Sequence, residues 1–263
     1  MTAADAPSRD ELAALLYDLL ALTTFEPLPH GAAVAGLPGR WSPRPDGEPG
    51  ARVELAAGET ILVHGVETGG TVDLESSDQR IPRSGAVALD AEHEVVVWPF
   101  HDAVGSQVWV GVTASSAPRL RDFRGVSAYP VDDRWRIPVS FTPAGEGEQH
   151  STIRLFRTGV ETPMPRAGWF GATIEGERYR LTVDRHPEYA YVIFRDAGSG
   201  VESYAAGRAI RLLGNPEDID VLDLNQAAVL PCGINPLMPC PLPPQSNIIG
   251  AVVRAGQREV LFG

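Results

Sequence analysis

Six of the chain's 23 prolines and both of its cysteines fall between Val221 and Asn247. They sit in Pro231-Cys-Gly-Ile-Asn-Pro-Leu-Met-Pro-Cys240 and in the Pro241-Leu-Pro-Pro-Gln-Ser-Asn247 that follows. Proline fixes φ and removes a backbone donor, so this stretch can be neither a long helix nor a central strand. A chain with so much stiff loop near its end uses it as a clasp on the fold or as a wall of a pocket. The residues alone leave both readings open.

Elsewhere the chain reads as β. It is 263 residues long and 43% hydrophobic, enough for one large domain or two small ones with a sizeable core. Its 27 glycines and 23 prolines fit many short strands joined by turns. The net charge is −12 and every basic residue is arginine. A lysine Schiff base and the lysine of a phosphate loop are therefore excluded. Nucleic acid is not an expected partner, because non-specific binding needs excess cations to displace phosphate counterions. No basic-then-apolar leader opens the chain, and no run approaches the roughly 18 apolar residues that span a bilayer. The expected location is the cytoplasm, without a membrane partner, where thiols stay reduced.

Ser8-Arg-Asp-Glu11 is a capping box, and Leu12, Leu15, Leu16, Leu19, Leu20 and Leu22 continue as a helical stripe, predicting one helix over 8–22. A Pro- and Gly-rich stretch, 27–50, reads as loop or linker. From Ala51 the runs are short, β-branched and bounded by turns: 60–63, 71–74, 86–89, 94–98 and 107–112, then 135–141, 153–157, 168–174, 178–183, 189–194, 248–254 and 259–262. Hairpin turns are predicted at Ile174-Glu-Gly-Glu-Arg178 and Asp196-Ala-Gly-Ser-Gly200. The expected organisation is a helix plus linker (1–50), a small β unit (51–118) and a larger β unit (119–263).

The run Phe194-Arg-Asp-Ala-Gly-Ser-Gly-Val-Glu-Ser-Tyr-Ala-Ala-Gly-Arg208 has a distinctive composition. So do Tyr129-Pro-Val-Asp-Asp-Arg-Trp-Arg136 and Leu222-Asp-Leu-Asn225. With Pro231-Cys232 and Cys240-Pro-Leu-Pro-Pro-Gln-Ser-Asn247, they resemble in order and spacing the bacterial domain-of-unknown-function family 1684, over roughly residues 107–257. The resemblance implies a β-rich fold with an N-terminal part likened to a forkhead-associated sandwich. It implies no activity. No serine-plus-arginine phosphopeptide signature stands in that part of the sequence. The chain also departs from the pattern. Members carry Tyr-Asn-Pro-(Pro or Tyr)-Cys where this sequence has Ala228-Val-Leu-Pro-Cys232, and Ser246 replaces the usual glutamate. If that segment lines a pocket, Leu230 makes it greasier.

Arg195, Asp196, Glu202, Tyr204 and Arg208 read as one hairpin. Residues two apart share a strand face, so Glu202, Tyr204 and Arg208 are expected on one side. Glu202 and Tyr204 suit acid–base work, and Arg208 can fork onto a carboxylate or enolate. Arg195, Asp196, Asn225 and Leu230 are then candidate substrate contacts. The same charges also fit a structural ion-pair network. Asp223 and Asn225 suit hydrogen bonds to amides of the proline-rich clasp, and Asn247 reads as structural. Cys232 and Cys240 would close a nine-residue loop if joined, worth about 2.6 kcal/mol. Buried free thiols and a reactive or metal-bound pair remain alternatives. His93-Glu94 and His101-Asp102 could offer two histidines and a carboxylate, but they flank opposite ends of one strand. No cofactor motif is present: no dinucleotide fingerprint, Walker motif or nucleophile elbow.

The expected fold is mainly β: a short N-terminal helix, a small sandwich-like, forkhead-associated-like unit, and a larger antiparallel barrel or sandwich. The expected function is binding of a small molecule by a cofactor-independent enzyme of specialised metabolism, doing acid–base or cyclisation chemistry on an apolar substrate. The alternative is a scaffolding protein whose smaller unit meets a protein partner. The oligomeric state is not written in the sequence.

Overall fold

Short apolar runs broken by glycine and proline cannot build long helices, and the described residues fold mainly into strands, paired antiparallel but for one short parallel contact. The computed structural model describes residues 7–28, 31, 33–48, 50–76, 87–101, 106–157, 159, 161–186 and 189–263. They divide into two units. The first holds residues 1–101, 105–125 and 262–263; the second holds 102–104 and 126–261.

The first unit opens with α1 (Arg9–Leu15) and α2 (Tyr17–Ala21). The capping box forms: Ser8 Oγ accepts the Glu11 amide at 3.2 Å, and the Ser8 amide donates to Glu11 Oε2 at 2.7 Å. The predicted single helix breaks at Leu16 (φ −103°, ψ 9°), and Leu22 already belongs to a strand. The strands are β1 (Leu22–Pro27), β2 (Arg40–Pro43), β3 (Gly50–Glu54), β4 (Ile61–Val63), β5 (Val66–Thr68), β6 (Thr71–Glu75), β7 (Val87–Ala88), β8 (His93–His101) and β9 (Ser106–Ala114), followed by α3 (Pro118–Asp122). They form a six-stranded sheet, β1-β9-β8-β7-β4-β5, and a three-stranded sheet, β2-β3-β6. Trp41, Val53 and Leu74 from the smaller sheet share one core with Val95, Val97, Val108, Val110 and Val112 from the larger. This is sandwich packing, with alternate residues pointing inward. The linker reading of 27–50 is corrected here. Trp41 is fully buried and its strand pairs with β3, so this stretch supplies core and ladder as well as loop. Ala86, placed in a strand by its sequence, lies outside the described residues.

The chain passes between the units within β10 (Phe123–Ala128) and again within its last strand, β20 (Gln257–Phe262). Between them run β11 (Arg136–Pro143), β12 (His150–Arg154), β13 (Glu161–Ile174), β14 (Glu177–Arg185), β15 (Ala190–Asp196), β16 (Arg208–Leu212), β17 (Val221–Asp223), β18 (Ala228–Val229), α4 (Pro231–Ile234) and β19 (Ile248–Ile249). The sheet order is β17-β11-β13-β14-β15-β16-β18. The β13–β14 hairpin turns at Glu175 and Gly176, both with positive φ (47° and 84°), as a two-residue primed turn requires. At Gly168, where β13 bends, a Cβ would lie 2.2 Å from the Thr142 carbonyl oxygen, so only glycine fits.

This sheet has to curl. Laid flat, its outer strands β17 and β18 would stand roughly 29 Å apart at about 4.8 Å per step. In sequence only residues 224–227 separate them, which span at most about 18 Å from Asp223 to Ala228. The sheet therefore wraps around Phe170, Leu181, Val183, Val192, Phe194 and Ile210. No ladder joins β17 to β18 or to β16, so the sheet stops short of a closed barrel and leaves a seam.

Candidate functional site

The expected hairpin triad does not assemble. Glu202 and Tyr204 lie in the loop between β15 and β16, and only Arg208 is on a strand. Strand parity fails before Arg208 because no strand exists there. Arg208 shares the inward face of β16 with Ile210 and Leu212 and is wholly buried. Its Nη2 donates to Asp196 Oδ2 (3.0 Å) and the Val253 carbonyl (2.9 Å); its Nη1 donates to the carbonyls of Ala255 (2.5 Å) and Gln257 (3.3 Å). Burial lowers the Arg208 pKa, against the Asp196 charge. Asp196 is equally occupied, accepting the Val253 amide (2.7 Å) and the Ser199 hydroxyl (2.7 Å). The pair clamps residues 253–257, and the strand expected over 248–254 is corrected: only Ile248–Ile249 pairs, parallel to β15. Glu202 is half-buried and forked by Arg254 at 2.7 and 2.9 Å, which holds its carboxyl below the usual range. Arg195, on the outer face beside Asp196, does not join this group.

The Asx residues are also spent on backbone. Asp223 caps a 3-10 turn by accepting the Asn225 amide at 3.0 Å. Asn225 then brackets Asp132, accepting its amide (3.1 Å) and donating to its carbonyl (3.0 Å). The partner is thus the Tyr129–Arg136 motif and not the proline-rich clasp, a correction to the expected contact. Asn247 is fully buried. Its amide accepts from Thr182 N (2.7 Å) and donates to Thr182 O (2.9 Å) and Ile193 O (2.8 Å). Strands β14 and β15 pair only at Asp184↔Tyr191 and Arg185↔Ala190. Continuing that register sets Thr182 opposite Ile193, so Asn247 is a side-chain peptide mimic wedged where the two strands part.

Cys232 and Cys240 are buried free thiols with no disulfide between them. The Cys232 amide donates to Cys240 Sγ at 3.0 Å. The Cys240 thiol hydrogen-bonds Cys232 and holds its pKa below the ordinary value. The Tyr204 hydroxyl and the amides of Cys232 and Gly233 add to this, against burial. Burial and the same contact push the Cys240 thiol up. A Cβ on Gly233 would meet Val229 at 2.5 Å and the Tyr204 ring at 3.3 Å, so glycine lets the ring lie on the first turn of α4. Leu230 is 3% exposed and faces the core; the apolar departure at Ala228–Leu230 feeds packing, which corrects its expected role as a substrate contact.

One group escaped the sequence reading. Asp184 on β14 is 1% exposed, and burial pushes its pKa up to about 7, against the charge of Arg166 and a hydrogen bond from Ser151. Register places Arg166, Asp184, Tyr191 and Arg211 side by side across β13, β14, β15 and β16. The Arg211 guanidinium lies over Tyr189 at 4.5 Å, and His186 stacks on that ring at 4.2 Å. Alternation in Leu181-Thr-Val-Asp184 shows which face Asp184 takes, but not that β12 covers it.

The seam holds an open groove of about 420 Å³, lined by Ile210, Leu212, Leu213, Ile219 and Val221 with Arg211, Asp223 and Gln226. Leu213 is 75% exposed and Val221 41%. His93 pairs with Asp90 at 2.9 Å, while Asp102 and the side chain of His101 lie outside what is described. Among the described residues no cluster of metal-ligating side chains occurs, and Val66 is the only largely exposed large hydrophobic side chain within 51–115. No described helix is long and apolar enough to cross a membrane.

Residues 121–258 match the family model described as "Protein of unknown function (DUF1684)", just over half of the chain. No functionally curated protein matches it. A solution NMR structure of an uncharacterized protein from Haloarcula marismortui is similar, at 27% identity and a TM-score of 0.43, over 52% of this chain and 77% of that one.

Proposed function

We propose that this chain, which belongs to the DUF1684 family of proteins of unknown function, binds a small, largely apolar molecule with one hydrogen-bonding end in the seam of its curled sheet. The groove carries the reading. At about 420 Å³ it falls within the roughly 300–1,000 Å³ of small-molecule sites, with apolar walls and few polar groups. Its exposed Leu213 and Val221 gain by being covered, at about 25 cal/mol per Å² of apolar area removed from water. Arg211, Asp223 and Gln226 supply the polar end. No cofactor is invoked.

Titration with an anilinonaphthalene sulfonate dye, followed by fluorescence, tests this. The native protein should bind saturably, and Val221→Arg should weaken binding at least about tenfold. Equal binding by both proteins, or none by the native one, overturns the reading. Acid–base catalysis is a second reading, favoured by one observation: Asp184, its pKa pushed up to about 7 by burial, stands in register through Tyr191 with Arg211 of the groove. Turnover of a bound ligand should then inflect near that pH and be lost in Asp184→Asn; turnover that survives the substitution removes the catalytic reading.

A further inference from the structure

Cys232, Cys240, Tyr204 and Gly233 form a constellation that the seam does not use. Both sulfurs are held firmly. Cys232 lies in the first turn of α4, where Pro231 sets the backbone. Cys240 is fixed from both sides: its amide donates to the Met238 carbonyl at 3.0 Å, and its carbonyl accepts the Phe156 amide at 2.8 Å. Leu155 and Pro241 form a β-bridge beside it. Two sulfurs in contact, with no further ligand among the described residues, do not make a zinc site, which needs four. They do meet the needs of a dithiol that oxidises. One sulfur must be the better nucleophile, and the other must be within reach of it.

We infer that Cys232 and Cys240 are a peroxide-oxidised thiol pair, in which Cys232 is attacked first and Cys240 resolves it. The Cys240 thiol and the Tyr204 hydroxyl hydrogen-bond the Cys232 sulfur, and the Tyr204 ring lies against Gly233 beside it. These stabilise negative charge on sulfur. Cys240 Sγ accepts the Cys232 amide at 3.0 Å, but burial dominates its setting and pushes its thiol up. The oxidant is a small hydroperoxide, because residues only 3% and 4% exposed exclude bulky disulfides.

The atoms balance in two steps. The Cys232 thiolate attacks one peroxide oxygen and the O–O bond breaks. The departing hydroxide takes the proton released by the Cys232 thiol and leaves as water, so Cys232 becomes a sulfenic acid. Cys240 sulfur then attacks Cys232 sulfur, the S–O bond breaks, and the departing hydroxide takes the Cys240 proton as a second water. One peroxide is reduced and two thiols become one disulfide. A small dithiol reductant reverses it. Tyr204 is a positioning residue: its ring packs on Gly233 and its hydroxyl supports the Cys232 sulfur.

Intact-mass measurement and dimedone trapping test the assignment on the full chain. With equimolar hydrogen peroxide the native protein should lose about 2 Da and both titratable thiols. Cys240→Ser should trap a dimedone adduct on Cys232, whereas Cys232→Ser should react at least about tenfold more slowly. Tyr204→Phe keeps the ring packing, so it serves if a cysteine variant fails to fold. It should shift the rate–pH profile of disulfide formation to higher pH. The inference is overturned if the native protein keeps both thiols, if the two serine variants oxidise at equal rates, or if the Tyr204→Phe profile coincides with the native one.

Discussion

Replacing Asp184 with asparagine should remove a pH dependence of stability that the native fold builds in. The Asp184 carboxyl is 1% exposed, and its hydrogen bond from Ser151 is long, at 3.5 Å. Its pKa rises from 3.8 to about 7, chiefly through burial. A raised folded-state value means that the native state holds a proton the unfolded chain has already lost. The stabilisation is complete below pH 3.8 and disappears as pH climbs through about 7. Three units at about 1.4 kcal/mol each set the full span at about 4 kcal/mol. Between pH 5.5 and 8.5, above the sequence pI of about 4.9, the native protein should lose about 2 kcal/mol at this site. The asparagine variant cannot titrate there. Urea unfolding of both proteins across that range, followed by the fluorescence of Trp135 and Trp169, reads the difference. Any fixed cost of the extra amide hydrogens cancels, because only the slope with pH counts. A stability difference that stays constant from pH 5.5 to 8.5 would refute the reasoning, since Asp184 would then be ionised throughout.

Arg208→Met should destabilise the second unit by about 3–5 kcal/mol in urea unfolding, because it leaves the Asp196 carboxylate buried without its cation. Asn247→Ala should cost about 2–4 kcal/mol by the same assay, since the Thr182 amide and the carbonyls of Thr182 and Ile193 lose their partner inside the sheet. Glu202→Gln should leave the melting temperature unchanged: its ion pair with Arg254 is exposed and screened, and a thermal scan that drops by several degrees would restore a larger role for the loop.

Local rules carried the sequence reading where local physics decides. The Ser8–Glu11 box, the primed turn at Glu175-Gly176 and most strands after Ala51 follow from neighbours in sequence. Apart from the helix break at Leu16, the failures depend on distant chain. Whether Arg208 points in or out turns on where β16 begins, and the loop before it carries no period to count from. Asp184 alternates with apolar Leu181 and Val183, which reads as a solvent face unless β12 is known to lie over it. The seam follows from sheet order, and sheet order is not a property of any one segment. The two sulfurs were recognised as a pair from their spacing, but spacing cannot say whether the bond between them is made.

The proline-rich stretch shows how stiffness and chemistry share one segment. Beyond α4 the chain runs beside the end of β12: the Phe156 amide donates to the Cys240 carbonyl, and Leu242 donates to the Arg154 carbonyl, each at 2.8 Å. The donors within 239–243 are the amides of Cys240 and Leu242, and the residues alternating with them are Pro239, Pro241 and Pro243. Proline stands where an N–H would face away from this contact, so no donor is stranded in a buried loop. Pinned φ angles also lower the entropy lost on ordering the segment. The polar side chains of the family-like motifs are used in the same structural way: Arg208 and Asp196 on residues 253–257, Asn225 on Asp132, and Asn247 on β14 and β15. With those groups committed to backbone, the chemistry left open lies at the seam, at Asp184 and at the two sulfurs that this stiff segment holds in contact.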